Sequence, residues 1–191
     1  WSEMAEETAA TFFDLPNAGV LERAAPIRLL VLDVDGVLTD GTVYMGQQGE
    51  LLKAFHIHDG KGVSMLLSAG IEVALLTARR GEAVLRRAEE LKIRHVLQGR
   101  NPKWPALEEL LCELAVTPSQ VAYMGDDLVD LPVLRRVGLA ATVADAHPWV
   151  ARHCHWQARR NGGRGAVREV CELILAAQGK LMPMLEHYAQ I

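Results

Sequence analysis

The sequence predicts an α/β fold, a Rossmann-like three-layer sandwich in which a mainly parallel sheet lies between two layers of helices. Three observations favour it. Short apolar runs alternate with helical segments of about ten residues, as in βαβ units. The runs are apolar throughout, which is typical of strands buried on both faces. The 191 residues, half of them apolar, suffice for one substantial core.

The strands are predicted from these apolar runs. The first is LLVLDV, which carries Asp33 next to its last residue and leads into a glycine turn. Four later runs have the same character, and each is separated from the run before it by a helical segment. The predicted strands in chain order are 29–34, 71–76, 95–97, 121–124 and 139–143.

The helices are predicted from apolar residues at helical spacing and from the residues that end them. In the first, Val63, Leu66 and Leu67 share one face, and Gly70 ends the helix. In the second, charged residues line the side that would face water. The predicted helices are 59–69, 81–91, 105–114 with a start as early as Lys103, 131–137 closed by Gly138, and 165–178.

One segment interrupts the alternation. Residues 41–55, GTVYMGQQGELLKAF, are typical of two short strands around a GQQG turn, and they predict a β-hairpin after the first strand. No long insertion follows that could form a second domain, so we expect no cap domain. The predicted organisation is an N-terminal extension (1–26), a single domain (27–179) and a C-terminal tail (180–191).

Composition excludes several classes of partner. Acidic residues number 24 against 20 basic ones, so a general nucleic-acid surface is not expected. No apolar run approaches the roughly 20 residues of a membrane helix. The cysteines, Cys112, Cys154 and Cys171, are odd in number and widely spaced, which favours free thiols in a reducing compartment. The cytoplasm is the expected location.

Polar side chains stand directly after several predicted strands. In an open α/β sheet, ligands bind outside the carboxyl ends of the strands, so these side chains should meet at one edge. They comprise several carboxylates, one hydroxyl and one cation. The residues at the strand ends are Asp33, Asp35, Thr77, Asp126 and Asp127, and Lys103 begins the helix after the third strand.

This set of groups suits phosphoryl transfer. Crowded carboxylates repel one another and call for a hard cation such as Mg²⁺, which takes oxygen ligands. A carboxylate can attack phosphorus and form an aspartyl phosphate, while a lysine and a hydroxyl hold the phosphoryl oxygens. Asp35, two residues after Asp33, would project to the same side in extended geometry and could protonate the leaving oxygen.

The motifs DVDGVLTDG, LLTAR, the lysine of NPKW, and GDDLVD resemble, in order, the four motifs of the haloacid dehalogenase superfamily of phosphohydrolases. From about residue 27 to residue 179 the chain is more closely similar to its capless subgroup, and there to the phosphatases of 3-deoxy-D-manno-octulosonate 8-phosphate. The supporting stretches are YMGQQGELLKAF, HIHDGKG, QVAYMGDDLVDLPVL, VADAHP and GGRGAVREVCELILAAQGKL.

The resemblance implies Mg²⁺-dependent hydrolysis of this acidic sugar phosphate in lipopolysaccharide precursor biosynthesis, through an aspartyl phosphate. Asp33 would be the nucleophile and a metal ligand. Asp35 would be the general acid and base and would offer its backbone carbonyl to the metal. Asp126 would be the third protein ligand, and Thr77 and Lys103 would bind the phosphoryl oxygens.

The resemblance also implies a set of substrate contacts. Asp127 would support the metal waters or Lys103. Arg79 suits an anion because its planar fork can be bidentate, and related nine-carbon sugar phosphatases usually have an acidic residue there. The expected substrate-binding residues are Asp35, His56, Ile57, His58, Asp59, Gly60, Ser64, Arg79, Arg87, Lys103 and Asp127.

Three positions depart from the family pattern. Two of them leave a related nine-carbon sugar phosphate as an alternative substrate, and the third lies in the lysine motif. Ser64 stands where the eight-carbon enzymes often have Arg, and His56-Ile57-His58 stands where they have Asn-x-Arg. Pro102 precedes Lys103 where Asp or Asn is usual. Because proline can open a helix, Lys103 is still expected to point inward.

A capless site stands open, and the resemblance implies that a homotetramer covers it. The hairpin would pack against its copies, and residues 162–168 would reach a neighbouring subunit's site. Exposed apolar side chains on the hairpin agree with such a contact. They are Val43, Tyr44, Met45, Leu51 and Leu52.

Other interpretations remain open for several features. A receiver-type signalling domain uses a similar set of residues. Its acceptor Asp would lie at a middle strand, before the Thr in the chain, whereas the middle strand of this chain ends in Thr77. Asp130 could be a third acidic partner or a helix cap, and GGRG could be an anion-binding nest or a turn. His56-x-His58 and His153-Cys154-His155 lack companion ligands at zinc-site spacing.

Overall fold

Six parallel strands form the central sheet of the computed structural model, which describes residues 16–190 apart from the side chain of Leu51. Their order across the sheet is β5-β4-β1-β6-β7-β8, with β1 near the centre. In chain order the strands, including the two of the hairpin, are β1 (Leu29–Leu32), β2 (Tyr44–Gly46), β3 (Gly49–Leu52), β4 (Glu72–Leu76), β5 (His95–Leu97), β6 (Val121–Met124), β7 (Leu139–Thr142) and β8 (Trp156–Gln157).

The first strand shows why its sequence has no polar alternation. Leu30 and Leu32 point into the core on one face of the sheet, and Leu29 and Val31 point into the core on the other. All four side chains are fully buried. A parallel strand covered on both faces needs apolar residues at every position.

Helices cover both faces and complete three layers. In chain order they are α1 (Ala18–Ala24), α2 (Ile57–Ser68), α3 (Glu82–Glu90), α4 (Lys103–Leu114), α5 (Leu131–Leu134), α6 (Pro148–Ala151), α7 (Ala166–Ala177) and α8 (Leu181–Gln190). The first core lies under α1, α2, α3, α7 and α8, and the second lies under α4, α5 and α6. The predicted sandwich with a mainly parallel sheet is confirmed.

The register of the central strands aligns their carboxyl ends. Leu32 at the end of β1 pairs with Leu75 of β4 and with Met124 of β6. The backbone N–H of Asp33 then donates to the carbonyl of Met124 at 3.0 Å, which continues the ladder by one residue. The residues that follow these three strands therefore start from the same edge of the sheet.

The hairpin predicted after β1 is present as a separate two-stranded antiparallel sheet, β2 with β3. Gly49, the first residue of β3 after the turn, has a positive φ of 112°, which favours glycine. Tyr44, Met45 and Leu52 are exposed, Met45 to 65 %. Between β1 and α2 the described chain has this hairpin and the loop around it, and the side chain of Leu51 lies outside the described residues.

The structure contains short elements that the sequence did not predict. Strand β8 and helix α6 have two and four residues, too few for a periodic pattern to be recognised. The helix predicted at 131–137 ends at Leu134. The chain then passes so close to the turn at 118–120 that a Cβ on Gly138 would lie 2.2 Å from the carbonyl oxygen of Ser119.

Helices outside the predicted domain limits contribute to the same core. Val20 and Ala24 of α1 and Leu181 of α8 are buried in the first core. The side-chain amide of Gln178 donates to the carbonyl of Ile27 at 2.8 Å, which joins the two ends of the domain. Residues 1–15 of the predicted extension lie outside the described residues, and the limits at 26 and 179 stay predictions.

Among residues 16–190, none of the helices has the length and apolar character required to cross a membrane.

Candidate active site

The loop after β1 starts the site with Asp33. This residue is buried, and its Oδ1 accepts a hydrogen bond from the N–H of Val34 at 2.8 Å. Gly36 has a positive φ of 85°, and a Cβ there would lie 2.0 Å from Oδ2 of Asp126. The glycine is needed because the loop must turn and because the carboxylate of Asp126 occupies the space of a side chain.

Lys103 lies fully buried between two carboxylates. Its Nζ is 3.0 Å from Oδ1 of Asp33 and 2.7 Å from Oδ1 of Asp130, and it also donates to the hydroxyl of Tyr123 at 3.2 Å. Burial by itself lowers the pKa of Lys103, but the attraction of Asp33 and Asp130 outweighs it and raises the pKa above its ordinary value. The ammonium group therefore stays charged beside Asp33. Pro102, the residue before α4, does not prevent this inward direction.

Asp130 is the residue that sequence reasoning left undecided, and the structure makes it the anchor of Lys103. Its Oδ1 accepts from Lys103 and from the hydroxyl of Tyr123, and its Oδ2 accepts from the N–H groups of Asp126 and Asp127 at 2.9 and 3.1 Å. Both oxygens are thus engaged by donors. A carboxylate that caps a helix and a carboxylate that pairs with a lysine look alike in the sequence, because either one is an acidic residue at a helix start.

The loop after β6 brings Asp126 to the same edge. Carboxylate oxygens of Asp33, Asp126 and Asp130 lie within 4.8 Å of one another. Burial and then repulsion from Asp130 raise the pKa of Asp33 to about 7, although Lys103 lowers it. Burial and then repulsion from Asp33 raise the pKa of Asp126 to about 8. The cluster concentrates negative charge that the protein alone does not fully neutralise.

This cluster fits a divalent cation. Because both oxygens of Asp130 already accept hydrogen bonds from protein donors, the carboxylates of Asp33 and Asp126 are the ones that can bind a metal. Two carboxylates with room for water and phosphate oxygens form the donor set that Mg²⁺ prefers. The other expected protein ligand, the backbone carbonyl of Asp35, stays a prediction.

Asp35 is held by side chains from the hairpin, which sequence reasoning missed. The Nζ of Lys53 lies 2.6 Å from Oδ1 of Asp35 and 3.0 Å from Oε1 of Glu50. Arg79 lies 2.7 Å from Oε2 of Glu50 and 3.8 Å from Oδ2 of Asp35. The hairpin sequence did not predict this role, because its apolar residues favoured a contact between subunits instead.

Thr77 directly follows β4 and is buried at the same edge. Its Oγ1 accepts from the N–H of Arg79 at 3.2 Å, and its own N–H donates to the carbonyl of Leu97 at 2.9 Å. The hydroxyl is thereby fixed by the turn that follows the strand. Arg79 leaves this turn with about half of its side chain exposed, 47 %.

These side chains line an open cleft of about 240 Å³ at the carboxyl ends of β1, β4 and β6. The cleft brings the carboxylates of Asp33, Asp35 and Asp126 together with the cations of Lys103 and Arg79. Its lining residues are Asp33, Asp35, Gly41, Thr77, Ala78, Arg79, Lys103, Asp126, Asp127 and Val129.

The other expected substrate contacts lie around the start of α2, outside the lining of this cleft. The Nδ1 of His56 accepts from the N–H of His58 and caps the helix, and the guanidinium of Arg87 donates to the carbonyl of His56 at 3.4 Å. Asp59 is buried and accepts from the N–H of Arg168 at 2.9 Å. The expected contacts in this group are His56, Ile57, His58, Asp59, Gly60, Ser64 and Arg87, which stay predictions.

Two expectations about neighbouring residues stay predictions. Asp130 contacts Lys103, while Asp127 accepts from the N–H of Leu128 at 2.7 Å, and the expected support of metal waters by Asp127 stays a prediction. In the segment 162–168 the N–H of Gly163 donates to the carbonyl of Val37 at 2.9 Å and Ala166 begins the buried face of α7, and its expected approach to a neighbouring subunit's site stays a prediction. Gly162 and Gly163 are needed because the active-site loop at residues 36–40 passes so closely.

Comparisons with known proteins agree with this geometry. The model of the haloacid dehalogenase-like hydrolase family matches residues 95–170. The 3-deoxy-D-manno-octulosonate 8-phosphate phosphatase of Yersinia pestis is 54 % identical over 162 residues, 85 % of this chain and 87 % of that protein. The Escherichia coli K12 phosphatase of the same name is 51 % identical over 172 residues, 90 % of this chain and 92 % of that protein.

A solved structure gives a further comparison. The 3-deoxy-D-manno-octulosonate 8-phosphate phosphatase of Moraxella catarrhalis, in complex with a magnesium ion, a phosphate ion and a KDO molecule, superposes with a TM-score of 0.86 at 38 % identity. The match covers 88 % of this chain and 97 % of that one. This chain therefore belongs to the 3-deoxy-D-manno-octulosonate 8-phosphate phosphatase family of haloacid dehalogenase-like hydrolases.

Proposed function

We propose that this protein is a Mg²⁺-dependent phosphatase that hydrolyses 3-deoxy-D-manno-octulosonate 8-phosphate to the free sugar acid and inorganic phosphate. The observation that carries the proposal is the buried Lys103 ammonium 3.0 Å from Asp33, at the edge shared with Asp126. Relatives that are more than half identical and bear this activity in their names support the choice of substrate.

The first step transfers the phosphoryl group to Asp33. Its carboxylate attacks phosphorus, the bond from phosphorus to the sugar oxygen breaks, and an aspartyl phosphate forms. Lys103 and the hydroxyl of Thr77 bind the phosphoryl oxygens, on which charge concentrates in the transition state. Mg²⁺ held by Asp33 and Asp126 offsets the charge of these carboxylates and of the phosphate.

Asp35 moves the protons in both steps. Its protonated carboxyl donates to the departing sugar oxygen, and the resulting carboxylate then takes a proton from the water that attacks the aspartyl phosphate. Phosphate leaves, Asp33 is restored as a carboxylate, and Asp35 regains its proton. The open cleft admits this water, so hydrolysis rather than transfer to a second sugar is the expected outcome.

The acidic sugar would be recognised by cations at the mouth of the cleft. Arg79 stands there with half of its side chain exposed, and Glu50 holds one of its nitrogens at 2.7 Å. Such a guanidinium can bind the substrate carboxylate with geometric specificity. A cation at this position favours the eight-carbon substrate over the nine-carbon alternative.

The setting of the enzyme is also part of the proposal. Hydrolysis of this sugar phosphate would supply the free acid for lipopolysaccharide precursors in the cytoplasm. The exposed apolar side chains of the hairpin, Val43, Tyr44, Met45 and Leu52, support its packing at the centre of a homotetramer.

Replacing the nucleophile tests the covalent route. In the Asp33→Asn variant, Mg²⁺-dependent phosphate release from 3-deoxy-D-manno-octulosonate 8-phosphate should fall by about 10³-fold or more, because an amide cannot form the aspartyl phosphate. Phosphate release is measured by a colorimetric assay, with Asp40→Asn as a matched control in the same loop. Activity of Asp33→Asn near that of the wild type would exclude this mechanism.

The raised pKa values of Asp33 and Asp126 predict a pH-dependent effect of Mg²⁺ on stability. The folded, metal-free protein keeps protons that the unfolded carboxyls release near 3.8, so its stability falls as pH rises towards about 8. Mg²⁺ binds the ionised pair. The rise in Tm that saturating Mg²⁺ produces should therefore be about 3 °C or more larger near pH 8.5 than near pH 6.

Differential scanning fluorimetry with and without Mg²⁺ measures this difference. The Asp126→Asn variant, which lacks one of the two carboxylates, should lose most of the Mg²⁺ effect at both pH values. Equal rises in Tm at the two pH values in the wild type would contradict the crowded-carboxylate explanation.

Removing Arg79 tests recognition of the acidic sugar. The Arg79→Ala variant should raise KM for 3-deoxy-D-manno-octulosonate 8-phosphate by about tenfold or more, and KM for p-nitrophenyl phosphate by less than about twofold, because only the sugar carries a carboxylate. Steady-state kinetics with both substrates give the comparison. Arg80→Ala, one residue further on, is the control, and equal effects of Arg79→Ala on both substrates would refute the role.

A charge on the hairpin tests assembly. Met45→Lys should reduce the molar mass in solution from that of four subunits to that of one or two, because a buried unpaired ammonium opposes the contact. Light scattering after size exclusion measures the mass. Leu85→Lys, at an exposed position of α3, should leave it unchanged. A tetramer that persists in Met45→Lys would count against the hairpin as the contact.

A further inference from the structure

A buried cation from the hairpin contacts the active site. Only 4 % of the Lys53 side chain is exposed, and its Nζ lies 2.6 Å from Oδ1 of Asp35 and 3.0 Å from Oε1 of Glu50. An ammonium group buried to this extent is costly unless it is paired, and breaking such a pair is strongly destabilising. Lys53 is therefore held in contact with both carboxylates.

Asp35 lies in a non-helical part of the loop after β1. Its backbone leaves helical geometry, with φ −71° and ψ 121°, and Gly36 follows with positive φ. Lys53 engages Oδ1 and leaves Oδ2 towards Arg79, whose Nε is 3.8 Å away, and towards the cleft that Asp35 lines. Of the two carboxylate oxygens, Oδ2 is thus the one available to the substrate.

We propose that Lys53 is a positioning residue that holds Oδ1 of Asp35 so that Oδ2 faces the leaving oxygen, and that Glu50 ties this arrangement to Arg79. The inference rests on the proposed function in that it takes Asp35 as the general acid and base. In the first step, Oδ2 gives its proton to the leaving oxygen as the phosphorus–oxygen bond breaks. In the second, Oδ2 takes a proton from the attacking water.

Glu50 is suited to the bridging role. Burial raises its pKa, but Lys53 and Arg79 lower it more, so the net pKa lies below its ordinary value and the side chain is ionised. One of its oxygens contacts Lys53 and the other contacts Arg79. The second hairpin strand would in this way align the proton donor and the cation that recognises the sugar acid.

The alternative is that Lys53 and Glu50 only attach the hairpin to the domain. The two explanations differ in which chemical step a lysine variant slows. A sugar alkoxide needs a proton as it leaves, whereas p-nitrophenolate is stable without one. Loss of alignment at Asp35 should therefore affect the first step for the sugar phosphate but not for the aryl phosphate.

The test compares Lys53→Gln with the wild type by stopped-flow and steady-state kinetics with Mg²⁺. For 3-deoxy-D-manno-octulosonate 8-phosphate, kcat should fall about 10- to 100-fold with KM changed less than about threefold. For p-nitrophenyl phosphate, a pre-steady-state burst of nitrophenolate should keep the wild-type rate constant, while steady-state turnover falls because the water must still lose its proton.

Two further variants make the result decisive. Lys180→Gln, at an exposed lysine between α7 and α8, should leave every rate unchanged. Lys53→Arg keeps the charge and should recover part of the lost kcat, which a purely steric role would not produce. If Lys53→Gln fails to fold, two other variants replace it. Lys53→Arg should lower kcat by less than is expected of Lys53→Gln, and Glu50→Gln should raise KM for the acidic sugar phosphate.

The outcomes separate this inference from the proposed function. Equal slowing of the burst and of turnover with p-nitrophenyl phosphate, or an unchanged kcat for the sugar phosphate, would overturn the positioning role of Lys53. Absence of wild-type activity on the sugar phosphate would instead overturn the proposed substrate, and the aryl phosphate measurements would still test Lys53.

Discussion

The site depends on one buried interaction, the ammonium group of Lys103 held between the carboxylates of Asp33 and Asp130. It joins the start of α4 to the ends of β1 and β6, so three parts of the chain meet around one charge. Each group is costly to bury alone, and together they compensate one another only in this geometry. Asp130 also accepts from the backbone of Asp126 and thereby fixes the loop that carries the second carboxylate of the candidate metal site.

The same arrangement leaves the site short of positive charge. Lys103 offsets Asp33 and Asp130, but Asp126 adds a third carboxylate. Burial, and after it repulsion from a neighbouring carboxylate, raises the pKa values of Asp33 and Asp126. This repulsion is a cost to the folded protein that a divalent cation removes. The carboxylates that make the cluster unfavourable without metal are thus those that suit it to Mg²⁺.

The two sides of the hairpin have different environments. Its outer side exposes apolar side chains such as Met45, while its inner side carries Glu50 and the buried Lys53 to Asp35 and Arg79. A two-stranded sheet is marginal by itself. The ion pairs of Lys53 and Glu50 therefore hold the hairpin in place relative to the cleft.

The sequence by itself determined the layered fold and the placement of Asp33, Thr77, Lys103 and Asp126 at one edge, because apolar runs and strand ends are local patterns and parallel strands share a direction. It did not reveal the short elements β8 and α6, which lack a period. Only the tertiary structure decided that Asp130 holds Lys103 and that Lys53 holds Asp35. Both are contacts between charged groups far apart in the chain, and a charged residue has the same local signature whether it caps a helix, faces water or pairs with a buried partner.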